Sequence, residues 1–127
     1  MTENQIAALI VDVAYKLHSQ LGHGLFESVY EELFAYDLIK RGLDIERQKE
    51  VPVIYDGKKF GVGFRIDLIA NDKVIVELKS IEQLTAVHKK QILTYLRLTD
   101  KRLGLLINFG EAYIKNGIIR VVNNLVE

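Results

Sequence analysis

The chain has 127 residues, and its 17 Lys and Arg are matched by 17 Asp and Glu, so its formal net charge is zero. It contains no Cys, no Trp and one Pro, Pro52, which excludes disulfide staples, thiolate zinc sites and cysteine nucleophiles and fits a reducing compartment. Zero net charge argues against a dedicated nucleic-acid coat. It does not argue against an enzyme that meets phosphates at a divalent cation, whose charge the composition does not count.

Nearly half the residues are apolar, enough for one core, and the length suits a single domain, 1–127. Residues 1–21 carry Asp12 and Lys16 inside their apolar pattern, which is an amphipathic helix rather than a signal peptide. No apolar run approaches the roughly 20 residues that span a bilayer. The expectation is a soluble, cytoplasmic protein with no membrane partner.

In chain order, Ile6, Ile10, Val13 and Leu17 repeat at helical spacing and predict a helix over about 3–20. Leu21-Gly22-His23-Gly24 ends it. A second helix is expected from about 25 to 41, with Leu25, Val29, Leu33 and Phe34 on its apolar side and Gly42 at the position of a C-terminal cap. The period then changes to two. Val51, Val53 and Tyr55 alternate, Asp56-Gly57 is a hairpin signal, and a second strand returns through Phe60, Phe64, Ile66 and Leu68. Gly61 and Gly63 suggest a bend or bulge in it. Asn71-Asp72 marks a tight turn into a third strand, Lys73 to Lys79, rich in β-branched residues.

A third helix is expected over about 83–99. Leu103 to Phe109 is a short apolar run, the mark of a strand buried on both faces. Asn116-Gly117 predicts a hairpin between strands near 112–115 and 118–123. The order is ααβββαβββ, a mixed α/β domain.

Side chains alternate along a strand, so Ile75, Glu77 and Lys79 share one face. In the preceding strand Arg65, Asp67 and Ile69 share one as well. The Asn71-Asp72 turn makes the two strands antiparallel neighbours, which brings Asp67 close to Glu77. Charge on an apolar-flanked surface must be paired or coordinated. Two explanations stand. One is structural ion pairing, with Lys79 and Arg65 neutralising the acids. The other is a metal site: Mg²⁺ is held by one or two carboxylates and water, Asp67 and Glu77 supply the carboxylates, and the backbone carbonyl of Leu78 offers a third oxygen. Lys79 would then orient water or offset charge on a phosphoryl oxygen.

Asp67 followed by Glu77-Leu78-Lys79 is similar to the D-x(n)-(D/E)-x-K signature of PD-(D/E)XK nucleases. Gly24-Leu-Phe-Glu27-Ser-Val-Tyr30 resembles the motif that names the GxxExxY proteins, a small bacterial and archaeal family of that superfamily. Pro52-Val-Ile-Tyr55, Phe64-Arg65-Ile-Asp67, His88-Lys-Lys-Gln91 to Tyr95 and Gly104 to Gly110 extend the resemblance over about residues 5–123. It implies a restriction-endonuclease-like core, a central mixed sheet flanked by helices. It further implies Asp67, Glu77 and Glu27 as metal-binding acids, Lys79 as the catalytic lysine, and Gln91 as a polar residue that positions water or substrate.

Arg65, Tyr30 and His88 are candidates for substrate contact. Packing with a hydroxyl partner competes for Tyr30, as it does for Tyr95, and bonding to the sheet backbone competes for His88 and Gln91. The expected activity is Mg²⁺-dependent hydrolysis of DNA or RNA phosphodiesters, with Mn²⁺ as a substitute. The alternative is a non-catalytic nucleic-acid or protein binding module that keeps the fold. In either case a chain this small is a candidate for a homodimer or for work beside a protein partner.

Overall fold

The computed structural model describes residues 1–126, the side chain of Val62 excepted. Ile6, Ile10, Val13, Ala14 and Leu17 form the buried stripe of α1 (Glu3–Leu21). Thr2 and Gln5 close a capping box at its start: the Gln5 N–H donates to Thr2 Oγ1 at 3.2 Å and the Thr2 N–H donates to Gln5 Oε1 at 2.9 Å. α2 (Glu27–Lys40) follows, and Gly42 just beyond it has a φ of 90°, the left-handed geometry that ends helices.

β1 (Ile45–Tyr55) and β2 (Lys58–Ala70) form a long antiparallel ribbon. Asp56 and Gly57 both have positive φ, as a type I′ hairpin turn requires. Asn71 and Asp72 do the same between β2 and β3 (Val74–Lys79). The predicted bulge is present: between the pairs Val51–Phe64 and Val53–Phe60, Pro52 alone faces three residues. A Cβ on Gly63 would lie 1.7 Å from the Val51 carbonyl oxygen, so only glycine fits there.

After β3 come α3 (Ala86–Thr99), β4 (Leu103–Asn108) and β5 (Ile118–Val122). The sheet has five strands in the order β1-β2-β3-β4-β5, with β3 and β4 parallel and the other neighbours antiparallel. Val74, Val76 and Leu78 pack with α1 and α2 on one face, and Ile75 packs with Ile92, Tyr95 and Leu96 of α3 on the other. This is the mixed, helix-flanked architecture expected of a restriction-endonuclease-like core. All six residues of β4 are buried, as expected for a central strand.

One element differs. The expected strand at 112–115 is replaced by bends and a short 3₁₀ helix, Ile114–Gly117. Among the described residues β5 pairs with β4 alone and its outer edge is open, but the segment turns back instead and buries Ile114 in the core with α1 and α2. Among the described residues no helix is long and apolar enough to cross a membrane.

Candidate metal centre

The strand ladder opens at the acids. β2 and β3 pair through Leu68–Val76, Ile69–Ile75 and Ala70–Val74, and one further step would set Asp67 opposite Glu77. There the pairing stops and side chains replace the backbone partners. The Asp67 N–H donates to Glu77 Oε1 at 3.0 Å, and the Leu78 N–H donates to Asp67 Oδ2 at 2.9 Å. Each acid thus bonds the backbone of the other's strand. The N–H and C=O of one strand residue point to the same side, so the Leu78 carbonyl also faces this gap.

The pair is short of positive charge. Glu77 is only 5% exposed, and its carboxyl is pushed up to about 8, first by burial and then by the charge of Asp67. Burial also raises Asp67; Glu31 and Glu27 add to this, while the Leu78 N–H and Lys79 pull the other way. Two adjacent carboxylates oppose each other's ionisation. Lys79, half-buried at the end of β3, forms no ion pair with any described residue. Tyr95 reaches the same charges from α3. Its hydroxyl is raised to about 12 by burial and then by Glu77 and Asp67, and its ring packs against Phe64 at 5.2 Å between centroids.

α2 and β1 supply the facing wall. Glu27 and Glu31 are one helical turn apart. Glu31 is buried and accepts from Arg47 Nε at 3.2 Å and Nη2 at 2.9 Å, and also from the Gln48 amide. The same Gln48 amide lies 3.4 Å from Asp67 Oδ1, so it bridges the two acids. Gln48 holds a φ of 51° inside a strand, whereas the other non-glycine residues with positive φ are all Asp or Asn. Such strain persists where the surroundings fix it, often at functional sites. A cleft of about 480 Å³ lies between Glu27, Ser28, Glu31 and Gln48 on this wall and Arg65, Asp67 and Leu78.

The exit of β3 is tied down. The Ser80 N–H donates to Glu27 Oε1 at 3.3 Å, and Ser80 Oγ donates to the Leu25 carbonyl at 2.7 Å. Asn108 is fully buried beside Lys79 in the sheet. Its Oδ1 accepts from the Ile81 and Gly110 N–H groups, and its Nδ2 donates to the Ile81 carbonyl.

The structure brings Asp67, Glu77, Leu78 and Lys79 together as expected from strand alternation. It does not close Glu27 onto them: no group of three His, Asp or Glu side chains among the described residues is arranged to hold a metal ion. Glu27 is exposed at the cleft's lip, with one oxygen engaged by Ser80. The remaining set still fits Mg²⁺, which keeps several waters and needs one or two carboxylates. Two under-neutralised acids and a carbonyl facing one gap are that donor chemistry.

Arg65 is exposed and lines the cleft. Gln91 is half-buried one turn before Tyr95 on α3. Tyr30 is fully buried, stacks on Phe109 at 4.2 Å and bonds the Gly22 carbonyl and the Leu25 N–H. A ring with no solvent contact shapes the loop before Glu27 and does not meet a substrate. His88 Nδ1 accepts from the Thr85 N–H at 3.0 Å in the capping box that starts α3, a helix cap rather than a bond to the sheet. Sequence reasoning missed Glu31, Arg47 and Gln48. Only Glu31 carried a signal, its spacing of four from Glu27.

A family model described as the PD-(D/E)XK nuclease superfamily matches residues 4–121. No curated protein and no solved structure matches the chain.

Proposed function

We propose that this chain, which belongs to the PD-(D/E)XK nuclease superfamily, hydrolyses phosphodiester bonds of DNA or RNA with a divalent cation, Mg²⁺ or Mn²⁺ in its place, held at Asp67 and Glu77. The observation that carries the reading is the reciprocal Asp67–Glu77 pair, two crowded carboxyls raised by burial at the point where two strands part. When bound, such a cation supplies Lewis acidity toward a phosphoryl oxygen and lowers the pKa of water.

The chain's own groups have separate jobs. Asp67, Glu77 and the Leu78 carbonyl offer ligand oxygens, and Glu27 joins them through water from the lip of the cleft. The Lys79 ammonium orients the attacking water and offsets charge that develops on the phosphoryl oxygens. Gln48 fixes the carboxylate of Asp67. Gln91, on the helix that presents Tyr95, orients water or substrate, and Arg65 takes a phosphate. The spacing of Gly24, Glu27 and Tyr30 supports a place among the GxxExxY proteins of the superfamily.

A second reading, a non-catalytic binding or assembly module, is favoured by one observation: no three-residue ligand group is assembled among the described residues. Cleavage separates the two. Plasmid DNA, single-stranded DNA and RNA are incubated with Mg²⁺, Mn²⁺ or EDTA, with wild type beside Asp67→Ala. The nuclease reading expects cation-dependent cleavage that falls at least about 100-fold in the variant, the scale of losing one group that stabilises transition-state charge. A folded wild type that cleaves none of the three supports the module.

A further inference from the structure

The β1–β2 ribbon outgrows the sheet. β2 has thirteen residues, but only Leu68, Ile69 and Ala70 pair with β3. The rest pairs with β1 alone and projects past the metal centre. A two-stranded ribbon is marginal by itself, and this one leaves Ile54 and Tyr55 65% and 73% exposed. Its base is anchored by Val51, Ile66 and Phe64 against α3.

Alternation sorts the outer half into two faces. Val53 and Tyr55 share a face with their partners Phe60 and Lys58, while Ile54 and its partner Lys59 take the other. Around the bulge lies a groove of about 480 Å³, lined by Glu50, Pro52, Lys59 and Arg65 of that second face and by Val51 and Phe64 of the first. Gly61 also lines it, with no atom within 4 Å of where a Cβ would stand, so a ligand can approach the backbone there; at Gly63 that space is taken by the Val51 carbonyl. Arg65 lines both this groove and the cleft at Asp67, so the two adjoin at its side chain. Lys58, Lys59 and Arg65 form no ion pair among the described residues. Charge changes sign between cleft and groove, from the acids Glu27, Glu31 and Asp67 to the cations Arg65 and Lys59, with Glu50 the one acid on the groove.

We infer that this groove is a phosphate-tracking subsite: it binds the nucleic-acid backbone flanking the bond to be cut, with Arg65 and Lys59 each on a phosphate. The inference rests on the reading of the Asp67–Glu77 centre as one that cuts nucleic acid. A polyanion whose scissile phosphate lies in an acid-rich, cation-filled cleft needs positive side chains for its neighbouring phosphates. The groove is where this chain presents them next to that cleft.

Two adjacent lysines on opposite faces give the test. Binding of fluorescein-labelled single-stranded and duplex oligonucleotides is followed by anisotropy in EDTA, where no cleavage occurs, for wild type, Lys59→Glu and Lys58→Glu. Lys59→Glu is expected to raise Kd about tenfold and to lower the salt slope by about one, while Lys58→Glu stays within about twofold of wild type. Equal losses in the two variants, no loss in Lys59→Glu, or no binding by wild type overturns the groove. Sedimentation of the same proteins covers the other occupant, since a wild-type dimer that Lys59→Glu dissociates makes the groove a self-association surface. Hydrolysis of bis(p-nitrophenyl) phosphate by wild type with Mn²⁺ reads the metal centre alone, so failure there and failure of the groove are told apart.

Discussion

Gln48 holds a left-handed backbone in the middle of β1 while its amide bridges Glu31 and Asp67. That conformation costs a non-glycine residue roughly 1–2 kcal/mol, which the site's contacts must offset. Gln48→Gly relieves the strain and removes the bridge. The expected outcome is a melting temperature no lower than wild type with kcat reduced about tenfold; a wild-type rate would remove Gln48 from the site. The core of the centre was legible at this scale. Strand alternation alone placed Glu77 beside Lys79, and the Asn71-Asp72 turn brought Asp67 to Glu77. Arg47 and Gln48 were not legible, because they meet Glu31 across 16 and 17 residues of chain and no local period records such a contact. Glu27 reached the centre only through resemblance, and the structure leaves it at the lip.

The buried face of α2 and the start of β1 are hard to read in the sequence for one cause: charged residues where a simple pattern expects apolar ones. The buried face of α2 runs through Tyr30, Phe34 and Leu38 but includes Glu31 and Asp37, which pair with Arg47 and Lys16. Val29, expected on that face, is 38% exposed. The start of β1, Ile45 to Glu50, is charged because it is an edge strand open to solvent, and the alternation read from Val51 onward found only its second half. β4 was plain because it is central and wholly apolar until Asn108. That residue holds Ile81, in the segment after Lys79, through two hydrogen bonds and accepts a third from the Gly110 N–H. Asn108→Ala leaves three partly buried backbone groups unpaired, a loss of roughly 3 kcal/mol, and thermal melts should fall by about 10 °C. A melting temperature within 2 °C of wild type would show that water replaces the amide there and that the clamp does not order the lysine.

At the scale of the whole molecule, α1 and α2 cover one face of the sheet and α3 the other, and the candidate metal centre lies where β2 and β3 separate. The fold gives up backbone pairing there and buries two acids instead, so stability and site are linked through protons. Glu77 has a folded value of about 8 against an ordinary 4.5, raised by burial and by Asp67. Between those values the folded chain keeps a proton that the unfolded chain has lost, so metal-free stability falls as pH rises through that window. Asp72, lowered by its bond to Lys101, acts in the opposite sense and only at acid pH, below the window. A cation that binds the ionised pair competes with the proton and stabilises only the native state.

The most direct measurement is therefore the melting temperature of wild type from pH 5 to pH 9, in EDTA and with 10 mM Mg²⁺ or Mn²⁺. The melting temperature should decline toward pH 8 in EDTA, rise with added cation by an amount that grows with pH, and lose that rise in Asp67→Ala. A flat curve in EDTA with no response to either cation at pH 8 would contradict this, and would leave Asp67 and Glu77 as a structural pair that bonds two parting strands.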